Sequence, residues 1–193
     1  VVGQVIISTK GFASKTYIVK IKYDGTENYE QSNTTAEMTI NKLASKISAN
    51  DITTTYSVGK DLVITLKNSQ NKPLLDAEII VHIGTLLKLC PTDSNGQVKI
   101  STKGLVPKTY TANIVFHGDE NYMKSSATAK VTVNKATPKF TASAKTFKKS
   151  VKTKKYTVTL KNNKNKVIKS AKVTLKVGGK TYSAKTNSNG QAT

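Results

Sequence analysis

Arginine and tryptophan are both missing from the 193-residue sequence, and aromatic residues make up only 6% of it. The net charge of +20 at pH 7 therefore comes from lysine alone. Proteins that read nucleic acid depend heavily on arginine, whose planar guanidinium forms paired hydrogen bonds with bases and phosphates. The composition thus argues against a nucleic-acid partner, and lysines on exposed strands also keep strand edges soluble.

Other kinds of residue are scarce or absent as well. Cysteine occurs once, as Cys90, so the chain has no intrachain disulfide framework. No stretch is long and apolar enough to span a membrane, and Val1 does not open a signal peptide. Residues 136–193 contain no aspartate or glutamate, so we expect this segment to produce a strong positive field.

The lysines of this last segment have two interpretations, a solvated face or a site for an anionic ligand. The candidate anion-binding residues are Lys148, Lys149, Lys152, Lys154, Lys155, Lys172 and Lys176.

The sequence does contain a long internal repeat. Residues 3–42 recur without a gap at residues 96–135, and residues 64–97 recur at residues 158–191 with an offset one residue longer. A fixed period of about 93 residues indicates one structural module used several times. Such a period favours an extended architecture over a single catalytic pocket.

The repeat divides the chain into three parts. Residues 1–42 match the back half of a unit, residues 43–135 form a complete unit, and residues 136–193 match the front half of the next. We expect the first part to supply about the final three strands of a sandwich and the last part about the first four. We therefore interpret the sequence as part of a longer protein, in which neighbouring repeats or other chains complete the two half domains. The boundaries are short and lack the carboxylates of calcium-stiffened linkers, so we predict linkers without metal.

Within each unit, apolar and polar residues alternate. The alternation is clear from Ala77 to Ile83 and from Tyr110 to Phe116, whereas no window has a helical stripe. Short alternating runs between polar turns predict antiparallel sheets with one solvent-exposed face. Asn95-Gly96 and Asn189-Gly190 are strong hairpin signals. The predicted strands of the whole unit lie near residues 46–50, 61–68, 77–83, 86–90, 97–102, 110–117 and 128–134.

About seven short strands in a unit of this length are typical of an immunoglobulin-like sandwich. The sequence accordingly predicts an all-β fold of tandem immunoglobulin-like antiparallel β-sandwich repeats. Tyr110 and its counterpart Tyr17 stand at the start of the penultimate strand, and Tyr110 follows a Leu-x-Pro corner. We expect each to hydrogen-bond the crossing loop, with an ordinary core aromatic as the alternative.

Two stretches resemble known repeats of surface proteins. The run Gly118-Asp119-Glu120-Asn121-Tyr122, followed by Ser125, resembles the Gly-Asp-x-x-Tyr-x-x-Ser stretch of bacterial Ig-like repeats. The front half, through Asp93-Ser94-Asn95-Gly96-Gln97-Val98, looks like the Ig-like repeats of invasin-type adhesins. The lysine- and asparagine-rich form, with Val-Thr-Val-Asn-Lys at its boundaries, is most similar to adhesin-like proteins of methanogenic archaea.

This resemblance implies an extracellular or cell-surface protein that serves as a stalk or adhesive array. Its implied partners are other cell surfaces or extracellular polymers. Asp119 and Tyr122 belong to the resembling stretch, and we predict that they are structural corner residues, as Tyr17 and Tyr110 are. The first copy has Thr26 in place of Asp119. We therefore expect Asp119 to cap the backbone amides of the loop before Tyr122, with ligand or metal binding as the less favoured alternative.

Residues with catalytic potential do not form a recognisable set. His82 and His117 correspond to Lys176 and Asp24 in the neighbouring copies, so neither histidine belongs to the design of the module. No His, Cys, Asp or Glu spacing indicates a triad or a metal site, and there is no glycine-rich phosphate loop. The sequence predicts a protein that is not an enzyme and that holds no cofactor.

The sequence leaves two covalent modifications undecided, a Lys–Asn amide bond and N-glycosylation. Asn41 and Asn134 close the final strands of their units, where they act either as linker caps or as partners in a Lys–Asn amide bond. Asn33 begins the only N-x-[ST] sequon, which an extracellular loop would make available for glycosylation.

The predicted function is that of a spacer in a cell-surface adhesin-like protein, with possible weak binding to anionic surfaces. The alternatives are a carbohydrate- or cell-wall-binding module and a subunit of a self-assembling surface filament.

Overall fold

The computed structural model describes residues 3–193, and within this range it consists of strands and loops without a helix. Fifteen strands are present among these residues. The first part contains β1 (Thr16–Tyr23) and β2 (Ser32–Thr39), which pair with each other antiparallel. The fold class is therefore all-β.

The middle part contains eight strands in two sheets. The strands are β3 (Ser45–Ala49), β4 (Ile52–Thr55), β5 (Asp61–Asn68), β6 (Glu78–Ile83), β7 (Leu86–Pro91), β8 (Gln97–Ser101), β9 (Thr109–Phe116) and β10 (Ser125–Asn134). One sheet has the order β3-β5-β8 and the other has the order β4-β10-β9-β6-β7. We call residues 43–135 the central unit.

The two sheets of the central unit share one apolar core, as in a β-sandwich. The alternating residues predicted to face inward do so: Ile79, Val81 and Ile83 of β6 are fully buried. The smaller sheet contributes Leu62, Ile64 and Leu66 of β5, also fully buried. Because side chains alternate along a strand, each of these strands directs one of its two faces at the core.

The strand β4 was not predicted, and it corrects the expectation of purely antiparallel sheets. It pairs parallel with β10, with Ile52 opposite Val131 and Thr55 opposite Asn134. Its sequence, Ile-Thr-Thr-Thr, has a single apolar residue, so no alternation marks it as a strand. The central unit therefore has eight strands rather than the seven predicted, while the seven predicted strands all exist within a few residues of their expected bounds.

The first part has two strands where about three were expected. Residues 3–9 correspond to residues 96–102, which include β8, but they form no strand. Val5 and Ile7 are 91% and 54% exposed, whereas their counterparts Val98 and Ile100 are buried in the core. The difference follows from the absence of a partner, because β8 pairs with β5 and residues 3–42 contain no equivalent of β5.

The last part has five strands rather than the four expected. They are β11 (Lys139–Ala142), β12 (Val158–Lys161), β13 (Lys172–Val177), β14 (Lys180–Lys185) and the two-residue β15 (Gln191–Ala192). They form one sheet of order β11-β12-β15 and a hairpin, β13-β14. Only Leu160, Val173 and Ala192 form its buried apolar cluster. We call residues 136–193 the terminal half-unit.

Candidate functional site

The two corner tyrosines make the same hydrogen bond in two parts of the chain. The Tyr110 hydroxyl donates to the carbonyl oxygen of Val106 at 2.9 Å, and the Tyr17 hydroxyl donates to that of Ala13 at 2.9 Å. The ammonium of Lys108 lies 4.7 Å from the Tyr110 ring centroid, close enough for a cation–π interaction. Each tyrosine thereby ties the start of a strand to the loop four residues earlier.

Asp119 organises the loop between β9 and β10. Its Oδ1 accepts hydrogen bonds from the backbone N–H groups of Asn121 and Tyr122, both at 2.8 Å. The preceding Gly118 has φ +84°, and a Cβ there would lie 2.7 Å from the Tyr122 carbonyl oxygen, so only glycine fits. The Asp119 carboxylate is therefore bonded to the backbone of its own loop.

The same loop receives the linker from the first part of the chain. Lys42 Nζ donates to the Asp119 carbonyl oxygen at 2.6 Å. Leu43 N donates to the Asn121 carbonyl oxygen at 2.9 Å, and Met123 N donates to the Leu43 carbonyl oxygen at 2.8 Å. The linker thus lies along the loop as a short parallel bridge rather than crossing freely from one unit to the next.

Two serines extend this contact on either side. Ser14 N donates to Asn121 Oδ1 at 3.4 Å, and Ser14 Oγ donates to the Asn41 carbonyl oxygen at 3.2 Å. Ser45 Oγ lies 2.7 Å from the Met123 carbonyl oxygen and 2.7 Å from Ser125 Oγ. We call this arrangement of Ser14, residues 41–45 and residues 117–125 the first joint.

Sequence reasoning missed the first joint as a site. It identified Asp119 and Tyr122 as corner residues but assigned no role to Ser14, Lys42, Ser45 or Asn121. The one signal was the position of the linker, residues 41–45, directly beside a repeat boundary. Which loop that linker contacts depends on how the two units meet, and a repeat pattern does not encode that.

At the second boundary, the contacts come from other residues. Tyr56 N donates to the Asn134 carbonyl oxygen at 2.8 Å, and Asn163 Nδ2 lies 3.5 Å from the Tyr56 carbonyl oxygen. The connection after β4 therefore lies between the end of β10 and a loop of the terminal half-unit.

The turns of the front half repeat their hydrogen bonds about 94 residues apart. Asn68 Oδ1 accepts from the amides of residues 70 and 72, and Asn162 Oδ1 accepts from those of residues 164 and 166. Thr92 Oγ1 donates to the Leu74 carbonyl oxygen, as Thr186 Oγ1 does to that of Ile168. The same side-chain chemistry thus closes the same turns in both copies.

All seven candidate anion-binding lysines are exposed. Lys148, Lys149, Lys152, Lys154 and Lys155 lie in residues 143–157, which form no strand, while Lys172 and Lys176 lie on β13. Lys172 stands directly opposite Lys185 in the hairpin, a like-charge pair without a carboxylate nearby in sequence. In the part of the chain that the structure describes, one ion pair occurs, between Lys22 and Asp24.

The terminal half-unit also has an open groove of about 910 Å³. Its lining includes Phe147, Tyr156, Leu175 and Tyr182, with Lys154 and Lys155 among the polar groups. Leu175 corresponds to Val81 and Tyr156 to Leu62, both fully buried in the central unit. The groove therefore corresponds to part of the core of a complete unit.

Of the remaining candidates, Asn41 and His117 belong to the first joint, and the others lie elsewhere in the chain. Asn33 is exposed and lies within β2, opposite Lys22. Asn41 and Asn134 are both exposed. His82 and His117 are exposed as well, and Cys90 is half-buried against the core.

Two kinds of feature are absent from the described range. Among residues 3–193 no cluster of three or more His, Cys, Asp or Glu side chains is arranged to hold a metal ion. The same residues include no helix with the length and apolar character needed to cross a membrane.

No protein family model and no curated protein matches the chain. Solved structures of bacterial adhesins are similar to it in part. One comes from work on the host cell surface retention of a 1.5-MDa bacterial ice-binding adhesin, with 11% identity and a TM-score of 0.41 over 93% of this chain and 62% of that chain. The other is a Ca²⁺-stabilized adhesin that helps an Antarctic bacterium to reach out and bind ice.

The second adhesin has 13% identity and a TM-score of 0.35, over 92% of this chain and 47% of that chain. This chain therefore spans less than two thirds of the length of either structure. Both TM-scores are below 0.5, so ice binding and calcium stabilisation are properties of those adhesins and are not inferred for this chain.

Proposed function

We propose that the chain is a segment of a tandem array of immunoglobulin-like repeats in a non-enzymatic, adhesin-like protein of the cell surface, where it serves as a spacer. The repeated turns at Asn68 and Asn162, together with the repeated tyrosine corners, support the reuse of one module. A module that repeats in series extends a chain, because each unit contacts only its neighbours.

The first joint is the observation that carries the spacer role. Lys42 Nζ and Ser14 N of the first part donate hydrogen bonds to the loop of residues 117–125 in the central unit. Leu43, the first residue of the central unit, makes two backbone hydrogen bonds with the same loop. Holding a linker in this way limits the angles between neighbouring units, which a spacer needs if it is to project a distant domain. None of these bonds uses a carboxylate side chain, so the joint is expected to keep its order without calcium.

Hydrogen exchange of the 193-residue chain tests this proposal. We expect slow exchange at the amides of Leu43 and Met123, and we expect the same rates with and without a calcium chelator. As a comparison within the same sample, the Ser14 amide makes a longer bond, at 3.4 Å, and should exchange faster. Free exchange at Leu43 would contradict a fixed joint, and chelator-dependent exchange would contradict a metal-free one.

The groove in the terminal half-unit gives the alternative of a carbohydrate-binding module some support. Tyr182 and Phe147 are 55% and 36% exposed, and carbohydrate sites often use exposed aromatic rings in a cleft. However, the groove matches the core position of a complete unit, which favours an unfinished core. Saturable micromolar binding of one glycan by the chain, lost in a Tyr182→Ser variant, would support the binding module instead.

Weak binding to anionic surfaces is part of the proposal. The uncompensated lysines of residues 136–193 are exposed, so attraction to a polyanion should be electrostatic and screened by salt. We expect retention on a sulfated polymer to fall steeply between about 0.05 and 0.5 M salt. Retention that persists at the higher salt would indicate a shaped site.

A further inference from the structure

The outer face of the smaller sheet carries a polar groove in the central unit. The groove has a volume of about 850 Å³ and lies over β3 and β5, between the turn that follows β5 and the turn that precedes β8. Its charged lining residues are Lys46 and Lys67, and its other side chains are neutral and polar apart from Pro73. No carboxylate and no aromatic ring is among its lining residues. We call it the outer groove.

The two lysines of the outer groove stand directly opposite each other, Lys46 on β3 and Lys67 on β5. Opposed residues have their Cβ atoms about 5 Å apart, and like charges in this arrangement destabilise a strand pair. Among residues 3–193 one ion pair occurs, between Lys22 and Asp24, so neither ammonium of the outer groove has a carboxylate partner. A lysine on the edge strand β3 discourages edge pairing, but β5 lies between β3 and β8. Solubility of the sheet edge therefore does not explain Lys67.

Neutral polar groups lie next to the lysine pair. Thr65 stands opposite Gln97 of β8, and it shares a face with Lys67 because residues two apart on a strand point the same way. Asn71 and Asn95 line the outer groove from the neighbouring turns. Hydroxyl and amide side chains both donate and accept hydrogen bonds. The outer groove thus places two cations beside groups that match the hydroxyls of a sugar.

The same face recurs in the terminal half-unit. Lys139 stands opposite Lys161, and Thr159 stands opposite Gln191, as their counterparts do in the central unit. Seven of the ten residues that line the outer groove are identical at the corresponding positions of the terminal half-unit. The three that differ are Ser48, Ser69 and Pro73.

The outer face of the larger sheet differs between the same two copies. Glu78 of β6 corresponds to Lys172, which reverses the charge, and the exposed Leu89 of β7 corresponds to Ser183. Common origin alone would make the two copies similar on every face, so it does not account for the shared groove. The lysine pair is retained although like charges so placed lower stability, which points to a ligand as the reason.

We propose that the outer groove binds an acidic polysaccharide, with a carboxylate or sulfate group between Lys46 and Lys67 and sugar hydroxyls on Thr65, Gln97 and Asn95. A negative group in this position offsets the repulsion between the two ammonium groups. Because the lining offers no aromatic ring for a sugar to stack on, charge supplies the attraction, and an acidic glycan is favoured over a neutral one. The site is separate from the seven candidate anion-binding lysines, and it does not depend on the spacer role.

Titration of the isotope-labelled 193-residue chain with a galacturonic acid tetrasaccharide, followed by NMR at about 0.15 M salt, tests the proposal. We expect saturable shifts at the amides of Thr65 and Gln97. The groove variant, Lys46→Gln with Lys67→Gln, should weaken binding at these amides by about tenfold or more, because it removes both charged hydrogen-bond donors. Since the variant also removes a like-charge pair, its denaturation midpoint should not fall.

The matched control replaces Lys99 and Lys130 by Gln, two exposed lysines of the central unit that lie outside the outer groove. It removes the same amount of charge, and the affinity at Thr65 should change by less than about twofold, because salt screens distant exposed charges. The amides of Thr159 and Gln191 report on the second copy in the same spectra. They should continue to shift in the groove variant.

Further probes separate the possible ligand groups. A carrageenan tetrasaccharide carries sulfate in place of carboxylate, and binding of either oligosaccharide at Thr65 and Gln97 supports the proposal. The methyl ester of the galacturonic acid tetrasaccharide is neutral and should not bind. Equal weakening in the groove variant and the matched control would indicate attraction to net charge alone, and equally tight binding of tripolyphosphate would indicate a simple anion site. Either result, or the absence of shifts with both oligosaccharides, would overturn the proposal.

Discussion

The central unit and the terminal half-unit share their turn residues but have very different interiors. Asn68 and Asn162 close identical turns, and Leu66 and Leu160 occupy identical positions on their strands. Yet the central unit buries 19 core residues and the terminal half-unit buries three. Turns form from residues that are close in sequence, whereas the core also requires strands such as β9 and β10, which come from the back half of a unit.

The largest expected effect comes from truncating the leucine at two corresponding positions, Leu66 in the central unit and Leu160 in the terminal half-unit. Leu66→Ala removes a fully buried side chain from the large core and should lower the free energy of unfolding of the central unit by about 2–5 kcal/mol. Leu160→Ala should leave that transition unchanged. Urea denaturation followed by circular dichroism, with exchange of the β5 amides to identify the unit, measures both.

Equal loss in the two variants would mean that the units unfold together. The comparison between the two regions would then fail, because the terminal half-unit would contribute to the stability of the central one.

A buried threonine offers a second comparison between the central unit and the terminal half-unit, with a smaller expected loss of stability. Thr92 is 2% exposed, donates to the Leu74 carbonyl oxygen and accepts from Ala77 N at 3.0 Å. Thr92→Val keeps the shape but leaves both groups without a partner, at a cost of about 1–3 kcal/mol. The denaturation midpoint of the central unit should fall accordingly, and Thr186→Val should leave it unmoved. An unchanged midpoint for Thr92→Val would show that water replaces the hydroxyl.

The corner tyrosines extend the comparison to the first part of the chain. Tyr110 is 8% exposed and Tyr17 is half-buried, although both donate a 2.9 Å hydrogen bond. Tyr110→Phe should cost about 1–2 kcal/mol because the Val106 carbonyl loses its partner. Tyr17→Phe should leave the central unit unaffected. If the midpoint for Tyr110→Phe equals that of the unaltered chain, the tyrosine only fills space.

The smallest expected effect lies at Asp119. Replacing it by threonine, the residue at the corresponding position in the first part, removes two 2.8 Å hydrogen bonds from an exposed loop. We expect a loss below about 1.5 kcal/mol, since exposed amides can bond to water instead. Exchange at Leu43 should rise at the same time, because the loop supports the first joint. Unchanged exchange would show that the linker is held independently of Asp119.

The sequence was sufficient for the features that repeat locally. Period-two alternation predicted β6 and β9, since residues such as Ile79 and Ile114 face one core. The residues Asn95 and Gly96 predicted a hairpin, which is wrong, because β7 and β8 on either side of them lie in different sheets. A tight turn does form there: Gly96 has φ +68° at a position where a Cβ would collide with the Leu66 carbonyl oxygen. In these cases the information lies within a few residues of the element that it specifies.

Features that depend on distant partners were missed. Strand β4 exists because Ile52 lies beside Val131, at the far end of the same unit. The first joint depends on Leu43 meeting Asn121, a contact between the linker and a loop far along the chain. The exposure of Ile7 and Ile21 likewise reflects missing neighbours rather than their own sequence. Pattern and period describe one element at a time, so they do not specify these pairings.

The parallel pairing of β4 with β10 has a mechanical consequence. The chain enters the central unit shortly before β4 and leaves it directly after β10, and these two strands run side by side from Ile52–Val131 to Thr55–Asn134. Tension applied through the two neighbours pulls parallel strands in opposite directions along their length. The hydrogen bonds between them are then loaded together in shear, rather than opened one after another from an end. In the proposed array under tension, the hydrogen bonds between β4 and β10 would be the first to resist extension.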